Sequence, residues 1–226
     1  MPKVLGLVGS PKGASSNSSS ITDYLLKKLS ESGLETEKLL IYAEHRRDKE
    51  LEEVINKVDE ANVVVVTFPL YVDSMPARLT RALELIHASR KGKKPQKDQR
   101  FVAICQCGFP ESHQNNLALD MCKRFAELSG FRWIGGIPIG GGGIIGEQNL
   151  EEAGGRVKHI TSALDIAASA IAEDSEIPED AINAASKLPI PKRMYLMIGN
   201  MGWNSIARKN GLKRRQMFAK PYERSN

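Results

Sequence analysis

The chain has little of what would make it a secreted, disulfide-stapled or membrane-spanning protein. Three cysteines in 226 residues, an odd number with Cys105 and Cys107 close together, form no disulfide framework and suit a reducing compartment. No apolar stretch nears the roughly 18–20 residues of a bilayer span, and a single Lys before a short apolar run makes no signal peptide. A cytoplasmic protein with no membrane partner is expected. The triphosphate loop GxxxxGK[ST] is absent, and the spacing of Gly6, Gly9 and Gly13 does not match the dinucleotide fingerprint GxGxxG. The four histidines, His45, His87, His113 and His159, lie far apart and show no metal spacing.

What is present fits an ordinary globular chain, with 41% apolar and 26% charged residues. The net charge of +5 misleads, because residues 192–226 hold nine Lys/Arg against one acid and leave the first 191 residues at about −3. Five short apolar runs, KVLGLVG, EKLLIY, NVVVVTF, RFVAICQC and FRWIGGIPI, look like strands buried on both faces of a parallel sheet. Between them, residues 21–32, 48–59, 77–89, 115–129 and 147–173 carry apolar positions three and four apart and are expected as helices, with Gly33 and Gly130 as stops. Such alternation predicts an α/β fold: a doubly wound, five-stranded parallel sheet of order 2-1-3-4-5 between two helical layers, with a C-terminal extension.

In that topology ligands sit beyond the carboxyl ends of the strands, where strand order reverses. The segment GSPKGASSNSSS leaves the first strand there and enters the first helix, whose N–H groups and dipole attract an anion. Ser10, Ser15, Ser16, Ser18 and Asn17 can donate to phosphate oxygens, and Gly13 permits a tight turn; a solvated loop with a helix cap at Ser18 or Ser20 is the plainer reading. After strand three, FPLYVDSMPARLTRALE offers Leu70, Tyr71 and Val72 between two prolines, either to face a flat heteroaromatic ring or to cover the sheet end, with Asp73 or Ser74 expected to cap the next helix. CGFPESHQNN follows strand four with Gly108 and Phe109. GGGGIIG follows strand five, and its four glycines mean either a mobile segment or a close backbone approach.

The joint occurrence of GSPKGASSNSS, FPLYVDSMPARLTRALE and CGFPESHQN resembles the NAD(P)H-dependent FMN reductase family of the flavodoxin-like superfamily, over roughly residues 1–170. The resemblance implies a flavodoxin-like FMN-binding domain at 1–173 and a basic, partly helical extension at 174–226. It implies that Ser10, Lys12, Ser16, Asn17 and Ser18 hold the FMN phosphate, that Pro69, Leu70, Tyr71 and Val72 line the isoalloxazine, and that Gly108 and Phe109 face its other edge. Some relatives carry an iron–sulfur cluster on cysteines after strand two. IYAEHRRDKE has none, so flavin is expected as the sole redox centre, without metal.

The implied chemistry is hydride transfer from NADPH or NADH through FMN to a flavin, quinone or other small electron acceptor, with no catalytic side chain required. The alternative on the same fold is a flavodoxin-like electron carrier that never meets a nicotinamide. Cys105 and Cys107 are expected as core residues of a buried strand; minor roles for His113, near a helix start, and for Glu111 at the ring edge stay open. Met194, Leu196, Met197, Ile198, Met201 and Trp203 crowd the extension and call for burial, on their own domain or across a homo-oligomer, of which the dimer is preferred. The terminal cations with Phe218 and Tyr222 do not amount to a nucleic-acid platform.

Overall fold

The computed structural model describes residues 1–41, 52–93, 95, 97–146 and 148–220. Five strands, β1 (Lys3–Val8), β2 (Glu35–Leu40), β3 (Val63–Pro69), β4 (Arg100–Gln106) and β5 (Arg132–Ile139), pair in parallel in the order β2-β1-β3-β4-β5. The expected order is therefore the observed one. β1, β3 and β4 are buried almost throughout, which is why their sequences run as unbroken Val, Ile and Leu rather than alternating. β2 is an edge strand with polar, half-buried residues. It starts at Glu35, ahead of the expected run, whose Tyr42 lies outside the described residues.

Two apolar cores flank the sheet because successive side chains leave a strand on opposite faces. Val63 and Val65 of β3 join one core, packed under α1 (Asn17–Glu31), α6 (Lys158–Ala172) and α7 (Glu179–Ala185). Val64, Val66 and Phe68 join the other, under α2 (Glu52–Glu60), α3 (Ala77–Arg90) and α4 (Asn116–Leu128). Helix α1 comes unusually close to β1. A Cβ on Gly6 would lie 2.6 Å from Thr22 Cγ2 and 3.0 Å from Leu26 Cδ1.

Three expectations need correction. The single helix expected over 147–173 is interrupted: α5 (Leu150–Ala153) ends at Gly154, whose φ of +60° is left-handed, and a 3-10 turn at Gly154–Val157 leads into α6. Helix α3 starts after Pro76, with no side-chain cap, since Asp73 and Ser74 are used in a tight hairpin instead. His113 lies in a 3-10 turn, Ser112–Asn115, ahead of α4. The expected helix start at residues 48–51, together with His45, lies outside the described residues.

By internal contacts the chain divides after Pro189, not after residue 173. The difference is α7: Ile177 N donates to Ile134 O of β5 at 2.7 Å, and Ala181 and Ala185 are buried in the first core. The second unit, Ile190–Asn226, contains α8 (Lys192–Lys209) and a 3-10 turn at Arg214–Phe218. On α8, Met194, Leu196, Met197, Ile198, Met201, Trp203 and Ile206 are all exposed. Among the described residues no helix is long and apolar enough to cross a membrane.

Two outcomes test this packing. Gly6→Ala forces Thr22 and Leu26 aside, and overpacking of this kind should cost about 1–3 kcal/mol in urea unfolding. At the sheet edge, hydrogen bonds from Lys57 and then Lys3 hold the Glu37 carboxyl below its usual range. Because the folded carboxyl has the lower pKa, its contribution is present above the unfolded value and is lost as pH falls through the folded one. Glu37→Gln should lower stability at neutral pH and shrink the difference from wild type in acid, as read by thermal melts across pH.

Candidate functional site

Strand β1 pairs with β2 on one side and β3 on the other, so the crossover leaving β1 and the one leaving β3 pack on opposite faces. The gap between their loops is the switch-point crevice. The first loop folds back on itself: Gly13 N donates to Ser10 O at 3.0 Å and Ser16 N to Gly13 O at 3.2 Å, with Gly13 at a left-handed φ of 59°. Ser16, and not Ser18 or Ser20, caps α1. Its Oγ accepts from Ser19 N at 3.1 Å and donates to Gly13 O at 2.7 Å, which commits its only proton. Ser10 Oγ accepts from Lys12 N at 3.4 Å and keeps its own proton available, while Lys12 is exposed.

Two hydroxyls here have no partner. Ser18 Oγ, in the first turn of α1, and Thr67 Oγ1, near the end of β3, are buried and unsatisfied. Leaving such a group unpaired costs about 1–3 kcal/mol, so polar deficits sit at the start of α1 and on the adjacent strand end. The helix terminus and these hydroxyls match the donor set that an anion requires.

The opposite wall is apolar. Leu70 N is tied to Gln106 O of β4 at 2.8 Å, and Tyr71 and Ser74 exchange two backbone hydrogen bonds at 2.8 and 3.0 Å. The two residues between them, Val72 and Asp73, both have positive φ, 49° and 59°. This is the geometry of a type I′ turn without the Asn-Gly that relaxes it, and a β-branched residue in that region is strained. The paired turn presents Val72 at 97% exposure beside Tyr71 at 47%. Phe109, from the loop after β4, is 57% exposed. Gly108 has open space where a Cβ would stand.

The glycine run after β5 acts as the fastener. A Cβ on Gly140 would lie 2.7 Å from Pro110 O, and one on Gly142 would lie 2.1 Å from Gln106 Oε1. Gly141 N donates to Phe109 O at 2.6 Å and Gly142 N to Cys107 O at 2.8 Å. Gly142 O in turn accepts from Asn17 Nδ2 at 2.8 Å. Of the two meanings open for four glycines, the structure shows close approach, and what approaches is the neighbouring loop. Asn17 thus spends one amide hydrogen on the fourth loop.

Cys105 and Cys107 are buried and unpaired in a disulfide, with Asn115 between them. Cys105 Sγ donates to Asn115 Oδ1 at 3.2 Å, and Asn115 Nδ2 donates to Cys107 Sγ, Ser112 O and Ile139 O at 3.5, 3.0 and 3.1 Å. Burial pushes all three thiols up, Cys122 to about 12, so they are poor thiolates. Asn115 and Gly142 are site-shaping residues that the sequence reading missed. A polar residue opening a helix after a Gly-Phe-Pro loop was the available signal for Asn115.

The profile of the family described as flavodoxin-like fold matches residues 2–160, and the chain belongs to that family. No curated protein matches it in sequence. Among solved structures it is similar to an FMN-dependent NADH-azoreductase of Bacillus anthracis in complex with FMN, at 17% identity and a TM-score of 0.55, covering 76% of this chain and 100% of that one. It is also similar to an NAD(P)H:quinone oxidoreductase of Methanothermobacter marburgensis, at 14% identity and a TM-score of 0.55, covering 76% and 94%. A flavone reductase aligns over 99% of this chain and 100% of its own at 12% identity and a TM-score of 0.58. At these identities the likeness establishes the shared fold.

If the glycine run fastens the loops, Gly142→Ala must displace Gln106 and loosen the contact with Cys107. Deuterium uptake should rise at 107–112 and 140–146 while β1 and β3 keep their protection.

Proposed function

We propose that the protein is an FMN-dependent oxidoreductase that takes hydride from NADPH or NADH and passes it to a small acceptor such as a flavin or a quinone. The observation that carries the reading is that unsatisfied hydroxyls, Ser18 in the first turn of α1 and Thr67 near the end of β3, sit at the same end of the sheet as the exposed apolar surfaces of Tyr71, Val72 and Phe109. A phosphorylated ligand with a flat ring needs both. The azoreductase crystallised with FMN and the quinone oxidoreductase, which share the fold, support this choice of ligand.

Ser10, Ser18 and the first-turn N–H groups of α1 would hold the phosphate, with Lys12 supplying charge from the loop surface. Ser16 and Asn17 would shape that cradle through the bonds already described. Pro69 to Val72 would lie along the ring, and Gly108 and Phe109 would meet its far edge. Bound FMN supplies the hydride chemistry. The chain's part is to hold donor and ring in near-contact, the strained hairpin keeping Val72 in place before any ligand arrives. The cytoplasm and a homo-oligomeric state belong to the same proposal.

The protein purified from its expression host should be yellow with a flavin spectrum and should bleach anaerobically on addition of NADPH or NADH. Reduction only by a partner protein would make it an electron carrier. Ser16→Asp keeps a good helix cap while setting a carboxylate against the phosphate, and should weaken FMN binding at least about tenfold, a 1.4 kcal/mol effect, with the melting profile retained. Cys105→Ala should stay yellow.

A further inference from the structure

Helix α8 carries apolar side chains around most of its circumference. Ile198, Gly202 and Ile206, four apart, run along one line, opposite a polar stripe of Arg193, Asn200 and Asn204. Met194, Met197 and Met201 fill one flank, and Leu196 and Trp203 fill the other. All of these apolar side chains are exposed, Met201 at 63% and Trp203 at 65%. Scattered exposed leucines need no explanation, but a contiguous apolar face does. The face continues past the helix, where Leu212, Met217 and Phe218 are exposed as well.

Length and charge say what fits it. No charged residue falls between Met194 and Ala207, a run of about 14 residues, against the roughly 20 of a bilayer span. A core helix is excluded too, since Ala207 alone on α8 is buried. An uncharged run of this length that neither spans nor joins a core suits the boundary between lipid headgroups and acyl chains. Lys192 and Arg193 precede the run, and Arg208 and Lys209 follow it. Such long cationic side chains reach headgroup phosphates while the apolar ones lie deeper. Residues 190–220 together hold eight Lys/Arg and no acid. The body of a second copy, at about −3 over residues 1–191, offers little negative charge to meet them. An anionic leaflet supplies both the charge and the apolar interior.

We propose that α8 is a peripheral membrane-binding helix that lies flat in the headgroup region of an anionic bilayer, its Arg193–Asn204 stripe toward water. The expectation of no membrane partner rested on the lack of a span, and a helix lying on a surface needs none. The proposal does not depend on the flavin reading, since none of its residues belongs to the crevice.

Co-sedimentation of the full chain with lipid vesicles tests it. Wild type should pellet with vesicles of mixed phosphatidylglycerol and phosphatidylcholine, and bind at least about tenfold more weakly to phosphatidylcholine alone or in high salt. Ile198→Glu with Ile206→Glu, changes at exposed positions that keep the melting profile, should stay in the supernatant. Arg208→Gln with Lys209→Gln should weaken binding at least about tenfold. Brominated acyl chains should quench Trp203, and Trp203→Phe should abolish that quenching while the emission of Trp133 is kept. Wild type left in the supernatant would overturn the proposal, as would equal binding to neutral vesicles or binding that survives the two glutamates. So would a Trp203 shielded from a water-soluble quencher before lipid is added and unchanged by vesicles, the result expected if a second copy or another protein covers α8.

Discussion

The site rests on a constraint of the sheet: β1 lies between β2 and β3, so the chain must leave its carboxyl end toward one face while β3 leaves toward the other. No crossover can cover the gap that results, and parallel strands keep the loops in it at the same end of the sheet. The hydroxyl-lined bend and the apolar hairpin leave adjacent parallel strands at the same end of the sheet, where strand order reverses. Their composition then decides what the gap can hold, with donors and a helix terminus on one side and exposed ring-sized apolar surface on the other.

Those walls are held by backbone. Gly140 lies against Pro110 and Gly142 against Gln106 at distances no Cβ would permit, and the Gly142 carbonyl reaches across to Asn17. Asn115 satisfies the other side of the same loop. The segments after β1, β4 and β5 are therefore tied to one another by hydrogen bonds, while the hairpin that carries Val72 is closed by its own backbone pairing. The positive φ values at Val72 and Asp73 are stabilised by the double backbone pairing of Tyr71 and Ser74. Such stored strain belongs at sites where a side chain must be presented rather than buried.

Much of this was legible in the chain. VVVV at 63–66 reads as a strand buried on both faces, and its alternation with amphipathic stretches implies a parallel sheet between helical layers. The three loop motifs marked the crevice. The roles within them were less legible, because they depend on partners distant in sequence: Asn17 and Gly142 are 125 residues apart, and no local pattern announces that pairing. Helix α5 ended early because Gly154 adopts a left-handed φ, where periodicity suggested continuity through 147–173. Helix α7 joined the sheet through Ile177 and Ala181, residues too few and too small to signal a core contact beside the conspicuous apolar run of α8.

The account stands or falls on whether the bend after β1 grips a mononucleotide by its phosphate. A crystal structure of the protein soaked in FMN tests this most directly. It should place the phosphate at the N-terminus of α1 within hydrogen-bonding distance of Ser10 and Ser18, with the ring between Tyr71 and Phe109. A crevice left empty at saturating FMN, or a ring bound away from the β1–β3 switch point, would contradict it.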